Sequence, residues 1–224
     1  MFKKQKVRGG MLANVLLLVV LGVNLASEGV AQTGAAHEAF KGSAEFRDAV
    51  EVTASSVDKY AVQLEKLDRS LARLSRSNGE IGERYESFAK ERRKLEKAQK
   101  SAASDVEKMR VRETEYFTAW DKANMQIADP ELRTSLAIRR SQLMTRYRAL
   151  ADDLSAIGRN LQPLMSSLHD LDLFLGTDAS RANLVEASAM IEGSRAEVRS
   201  LKHEVSDVQR AMKFFVSELS GGAR

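Results

Sequence analysis

The chain has 224 residues, carries 35 lysines and arginines against 31 aspartates and glutamates, and contains no cysteine. The missing thiol excludes disulfides, thiolate metal centres, c-type haem attachment, a cysteine nucleophile and lipidation at a cysteine. Four of the basic residues (Lys3, Lys4, Lys6, Arg8) and one acid, Glu28, lie within residues 1–31, so the remainder stands at 31 against 30. A domain so nearly balanced offers no general electrostatic attraction for nucleic acid.

The basic start is followed by an apolar run from Met11 to Ala26 and then by Gly29-Val30-Ala31. This order reads as a secretory signal peptide, residues 1–31, cleaved after Ala31, with the periplasm as destination. An uncleaved inner-membrane anchor is the alternative, although Asn14 and Asn24 interrupt a run already short against the ~20 residues of a spanning helix. Residues 32–42 are expected to be a flexible lead-in, 43–219 a single helical domain and 220–224 a disordered tail.

From Phe46 the core-type positions fall 4 and 3 residues apart: Phe46, Val50, Thr53, Val57, Tyr60, Leu64, Leu67, Leu71, Leu74. Such spacing keeps one apolar stripe facing a partner helix over many turns. A second seam runs from Ile81 through Tyr85, Phe88, Leu95, Met109, Tyr116 and Trp120 to Ile127, weakened by Arg92, Gln99 and Glu113. The third carries Leu132, Leu136, Leu143, Tyr147, Leu150, Leu154, Ile157, Leu161, Leu164, Leu168, Leu171 and Leu175. The fourth runs from Leu184 through Ile191, Val198, Leu201, Val205, Val208 and Met212 to Leu219.

Turns separate the seams. Ser77-Asn78-Gly79 suits a left-handed helix exit, Asp129-Pro130 a stop and restart, and Gly176 to Ser180 an exit followed by an N-cap at Asp178 or Ser180. Pro163 removes one backbone hydrogen bond, which predicts a kink and no stop. The expected fold is all-α: an elongated antiparallel four-helix bundle with helices at about 43–77, 80–127, 131–175 and 179–219. A looser pair of coiled-coil hairpins is the alternative.

Acids dominate residues 113–131 and arginines dominate 133–148. Folding back at Asp129-Pro130 sets Glu113 near Arg146 and Asp121 near Arg139 or Arg140.

No catalytic, cofactor-binding or metal site is expected. The residues three before His37, His169 and His203 are Gly34, Ser166 and Ser200, so the Glu-x-x-His pairs of di-iron bundles are missing. Ser167, His169 and Asp170 diverge on a helix, because same-face spacing is three or four. Gly79 to Glu83 lacks the Lys-Ser/Thr ending of a phosphate loop. Tyr116, Phe117 and Trp120, with Tyr85 and Phe88, read as bundle core. The basic run Lys90, Arg93, Lys94 and Lys97 is the candidate interaction surface, suited to anionic head groups, although Glu91 and Glu96 lie at helix-pairing distance.

In order, Gly79-Glu80-Ile81 with Tyr85, Tyr116-Phe117-Thr118-Ala119-Trp120, Leu132-Arg133-Thr134-Ser135, Tyr147, Gln162-Pro163-Leu164, and Leu168-His169-Asp170 followed by Leu173-Phe174-Leu175 form a recognisable set. With them the chain resembles a bacterial family of exported helical proteins catalogued as domain of unknown function 2959. The resemblance covers roughly Ser43 to Leu219; it implies a helical fold and brings no reaction or site. Where relatives continue with a Lys-His-Asn-Leu-Asn type of stretch, this chain has Gly176 to Ser180, so any ligand of that loop would be lost here.

These readings favour a non-enzymatic envelope protein whose long helices act as spacer, scaffold or docking surface for another envelope protein. A periplasmic holdase chaperone and a membrane-surface amphipathic protein are the competing expectations.

Overall fold

The computed structural model describes residues 29–76 and 80–220. Helix α1 spans Gly29–Leu74, α2 Ile81–Met125, α3 Pro130–Thr177, α4 Arg181–Glu186 and α5 Ser188–Leu219. The three longest have 46, 45 and 48 residues, each about 70 Å at ~1.5 Å per residue. Of the segment read as a signal peptide, residues 29–31 lie in α1, whereas residues 1–28, the exit expected at Ser77 to Gly79 and the disordered end expected at 221–224 fall outside the described residues.

The lead-in expected at 32–42 is helical and continuous with α1. Its Ala35, Ala36, Glu38 and Ala39 are good helix formers, so the ladder propagates without a packing partner on every side. Segment four is interrupted once, at Ala187. The backbone ladder bridges the interruption, with the Ala187 N–H bonded to Asn183 O at 2.8 Å and the Ile191 N–H to Ala187 O at 2.9 Å.

Both helix starts are capped as their sequences suggest. Asp129 accepts from the N–H groups of Glu131 (2.8 Å) and Leu132 (3.0 Å), with Pro130 opening the helix. At the last turn Ser180 is the cap, accepting from the Asn183 N–H at 3.3 Å. α3 continues through Pro163.

Polar pairs fix the topology. Residue numbers rise on α1 as they fall on α2 in Glu45–Arg112, Ser56–Asp105 and Gln63–Glu91. The same holds for α2 and α3 in Asp121–Arg140 and Arg92–Asp172. It holds again for α3 and α5 in Arg146–Glu218 and Asn160–Glu204, and for α1 and α5 in Asp58–Gln209 and Asp68–Arg195. Each helix is therefore antiparallel to both neighbours, giving a closed square with α1 and α3 on one diagonal, in place of two loose hairpins.

All nine residues of the first seam are buried. The third seam departs at its start, where Leu132 is 50% exposed because the first turns of α3 run beyond the shared core. At that end Phe46 of α1 meets Tyr116 and Phe117 of α2, Tyr147 of α3 and Phe215 of α5, with ring centroids 5.4–6.2 Å apart. Tyr116, Phe117 and Trp120 are core as expected, whereas Tyr85 and Phe88 belong to the opposite end. Tyr85 donates its hydroxyl to Asp172 O at 3.3 Å there.

The arginine block divides in a way the fold-back reading misses. Arg140 pairs with Asp121 at 2.6 Å, as expected. Arg146 pairs instead with Glu218 of α5 and lies over the Phe214 ring, and Arg139 donates to Glu218 O at 3.0 Å. Positions 139 and 146 are one heptad apart and share a face, while position 140 is turned ~100° from it toward α2.

Candidate functional site

Among the described residues, helices α1 and α2 share the most extensive contact of any pair. The Thr53 hydroxyl shares its one proton between Ala49 O of its own helix (2.8 Å) and the backbone carbonyl of Asp105 across the interface (3.1 Å), and Ser56 donates to the Asp105 carboxylate at 2.6 Å. A short hydroxyl side chain reaches a neighbour's backbone only when the axes are close. This contact holds the middle of α2 against α1.

The α2–α3 boundary is pinned elsewhere, at Arg92–Asp172 near one end and Asp121–Arg140 near the other. Between the pins the facing residues are small: Ala102 and Ala103 on α2, Ser155 and Gly158 on α3. With α2 drawn to α1 and these small residues between the pins, a cleft of about 590 Å³ opens. Val57 and Tyr60 of α1 and Val205 of α5 also line it, and Gln99, Arg159 and Gln162 contribute polar groups. A Cβ built on Gly158 would meet nothing within 4 Å, so the space beside it is open.

Tyr60 is the unusual member of this lining. The residue is only 4% exposed, and its hydroxyl has no hydrogen-bond partner. Burial, and behind it the Glu204 carboxylate, pushes the phenol well above its ordinary range, so it stays protonated. Glu204 itself is engaged by the Asn160 side chain at 2.9 Å. At the rim Arg159 is exposed, and no carboxylate pairs with it among the described residues.

The basic run behaves differently along its length. Lys94 pairs with Glu91 at 2.8 Å, Lys100 with Glu96 at 2.8 Å, and Arg92 turns inward to Asp172. Lys90, Arg93 and Lys97 are exposed, and the recorded ion pairs of the described residues include none of them. Their spacing of three and four puts them on one face. Of the four residues singled out from sequence, three thus form a free cationic row and Lys94 is neutralised within its own helix.

A family model described as protein of unknown function (DUF2959) matches residues 40–220. The chain belongs to this family. No curated protein and no solved structure matches it. Membership assigns no chemistry to the cleft or the cationic row.

The sequence reading missed the cleft. One signal of it was present, because Gln99 interrupts the second seam and Gly158 lies beside the third. His37, His169 and His203 are all exposed on helix faces, and Ser167, His169 and Asp170 converge on no common point along α3. Among the described residues no helix is long and apolar enough to cross a membrane.

Proposed function

We propose that this protein is a non-enzymatic, exported helical component of the bacterial envelope that docks an acidic partner protein on the cationic row of α2. The carrying observation is the contrast along one helix: Arg92, Lys94, Lys100, Lys108, Arg110 and Arg112 each have a carboxylate partner, whereas Lys90, Arg93 and Lys97, clustered on one face, have none among the described residues. Charge is also concentrated at this end, with eleven Lys and Arg against six Asp and Glu between residues 66 and 100. A row of free cations draws acidic surfaces together and sets their orientation.

The export part of the reading rests on the signal-like residues 1–31, with cleavage after Ala31 or retention as an inner-membrane anchor as its two forms. Helices about 70 Å long suit a spacer, and the seam residues are spent between helices, which leaves a holdase grip little apolar surface.

Site-specific photocrosslinking in cells tests the docking reading, with the crosslinker at Arg93 or Lys97 and, as reference, at exposed Asp153 on α3. The expected result is one discrete adduct from the α2 positions, absent from Asp153 and lost when Lys90, Arg93 and Lys97 are replaced by Glu. Identical adducts from all three positions would overturn it. So would capture of the purified protein by anionic vesicles through the same cations without any protein adduct, which would transfer the row to a membrane surface.

A further inference from the structure

The free cations of α2 have exposed apolar neighbours on α3. The Arg92–Asp172 ion pair of 2.6 Å sets residue 92 of α2 level with residue 172 of α3. One position further along each helix, Arg93 and Leu173 turn ~100° from that pair toward the outside. Both are exposed, Leu173 at 59%, and Phe174 follows it at 37%. Arg93 stays close to the edge between the two helices: burial and then Asp172 raise the Tyr85 phenol, and Arg93 with Arg92 opposes the rise. A lone exposed leucine carries no message. Two adjacent apolar side chains beside a row of free cations do.

The groove between α2 and α3 has two unlike edges. Along α3, Gln162, Ser166, His169 and Leu173 succeed one another at spacings of four, three and four, so they share one edge. All four are exposed and none is an acid. The α2 edge carries Arg93 and Lys97, with Lys90 one turn before Arg93, and Glu96 beside Lys97 is taken by Lys100 at 2.8 Å. The bundle thus leaves the groove cationic on one side and apolar at one end of the other. Its length follows the helix axes, a shape that accepts a rod-like segment in preference to a flat lipid surface. Binding sites commonly pair an apolar anchor with a polar rim, and a helix lying in a groove brings both, from residues three and four apart.

We infer, resting on the docking reading, that the partner seats an acidic amphipathic helix in the α2–α3 groove, its carboxylates on Lys90, Arg93 and Lys97 and its apolar side chains on Leu173 and Phe174. Charge then selects the partner and Leu173 fixes where along the groove it lies.

Photocrosslinking in cells from Leu173 and from Arg93, with Asp153 as reference, tests this when the attached peptide is sequenced. Both positions should give one and the same adduct, joined through a peptide whose apolar residues stand three or four apart beside Asp and Glu. Leu173→Ser should lower the yield from Arg93 roughly fivefold, the scale of losing one apolar anchor, with circular dichroism and unfolding midpoint unchanged. An adduct from Arg93 with none from Leu173, or a yield that Leu173→Ser leaves intact, would overturn the inference while the docking reading stands. No adduct from Arg93 would remove both. A peptide without acids, an adduct to a second copy of this chain, or an adduct to lipid alone would give the groove another occupant and overturn the inference as well.

Discussion

Arg92 of α2, at a position where the heptad pattern calls for an apolar residue, forms an ion pair of 2.6 Å with Asp172 of α3, their side chains only 13% and 15% exposed. The pair leaves Arg92 Nε and Asp172 Oδ1 without partners. Its desolvation is therefore incompletely compensated. Removing one member strands the other charge, so Arg92→Leu alone should destabilise the protein by about 3 kcal/mol. The double change Arg92→Leu with Asp172→Leu should restore stability to wild type or above. Urea denaturation of the three proteins measures both, and a double variant no better than the single one would refute the assignment.

Phe46 touches aromatic rings on all three other long helices. Phe46→Ala should cost about 3–5 kcal/mol, the range for deleting a fully buried large side chain. Phe40, six residues earlier and 74% exposed, should tolerate alanine within ~0.5 kcal/mol. Thermal unfolding of both variants provides the comparison, and similar losses at the two sites would contradict the core described above.

Gly176 packs under the Tyr85 phenol. A Cβ there would lie 2.5 Å from Tyr85 Oη and 3.3 Å from its Cζ. Helix propensity alone favours alanine by about 0.5–1 kcal/mol, yet the clash should make Gly176→Ala destabilising by about 1–2 kcal/mol. Combining it with Tyr85→Phe removes the atom in the way, so the double variant should recover most of the loss. A double-mutant cycle reads the coupling, and additive effects would count against the contact.

Asp105 gives the acid dependence of the α1–α2 contact. Hydrogen bonding from Ser56 first, and from Lys108 next, outweighs burial and holds its carboxyl below the ordinary aspartate range. A depressed folded value means that the stabilisation is present above the unfolded value of about 3.9 and is lost as pH falls through the folded value. The stability difference between wild type and Ser56→Ala should thus be largest near neutrality and shrink below about pH 4. Denaturant midpoints at pH 7 and pH 3 decide it; a difference that does not change with pH would show that Asp105 carries none of the effect.

Much of the bundle was legible in the sequence for a local reason. Seam, cap and turn residues act within one or two helical turns, so Phe46 to Leu74, Asp129-Pro130 and Ser180 announce helices, lengths and ends without reference to the rest of the chain. The extension of α1 through residues 32–42 was harder to see, since Ala-rich sequence supports helix and frayed lead-in alike. The candidate surface was legible only as composition. Lys90, Arg93, Lys94 and Lys97 look equivalent in the sequence, and the structure divides them by whether a carboxylate stands within reach.

What the sequence determined by itself is the all-helical architecture, because the apolar period is a property of each helix alone. Tertiary structure decided what depends on the separation and rotation of helix axes. It turned Arg139 and Arg146 toward α5 and left Arg140 to Asp121, one residue away and ~100° around the helix. It drew α2 against α1 through Thr53 and Ser56, and so opened the cleft that Ala102 and Gly158 are too small to close. Distances across a bundle arise from the sum of contacts along every interface, and no single stretch of residues encodes them.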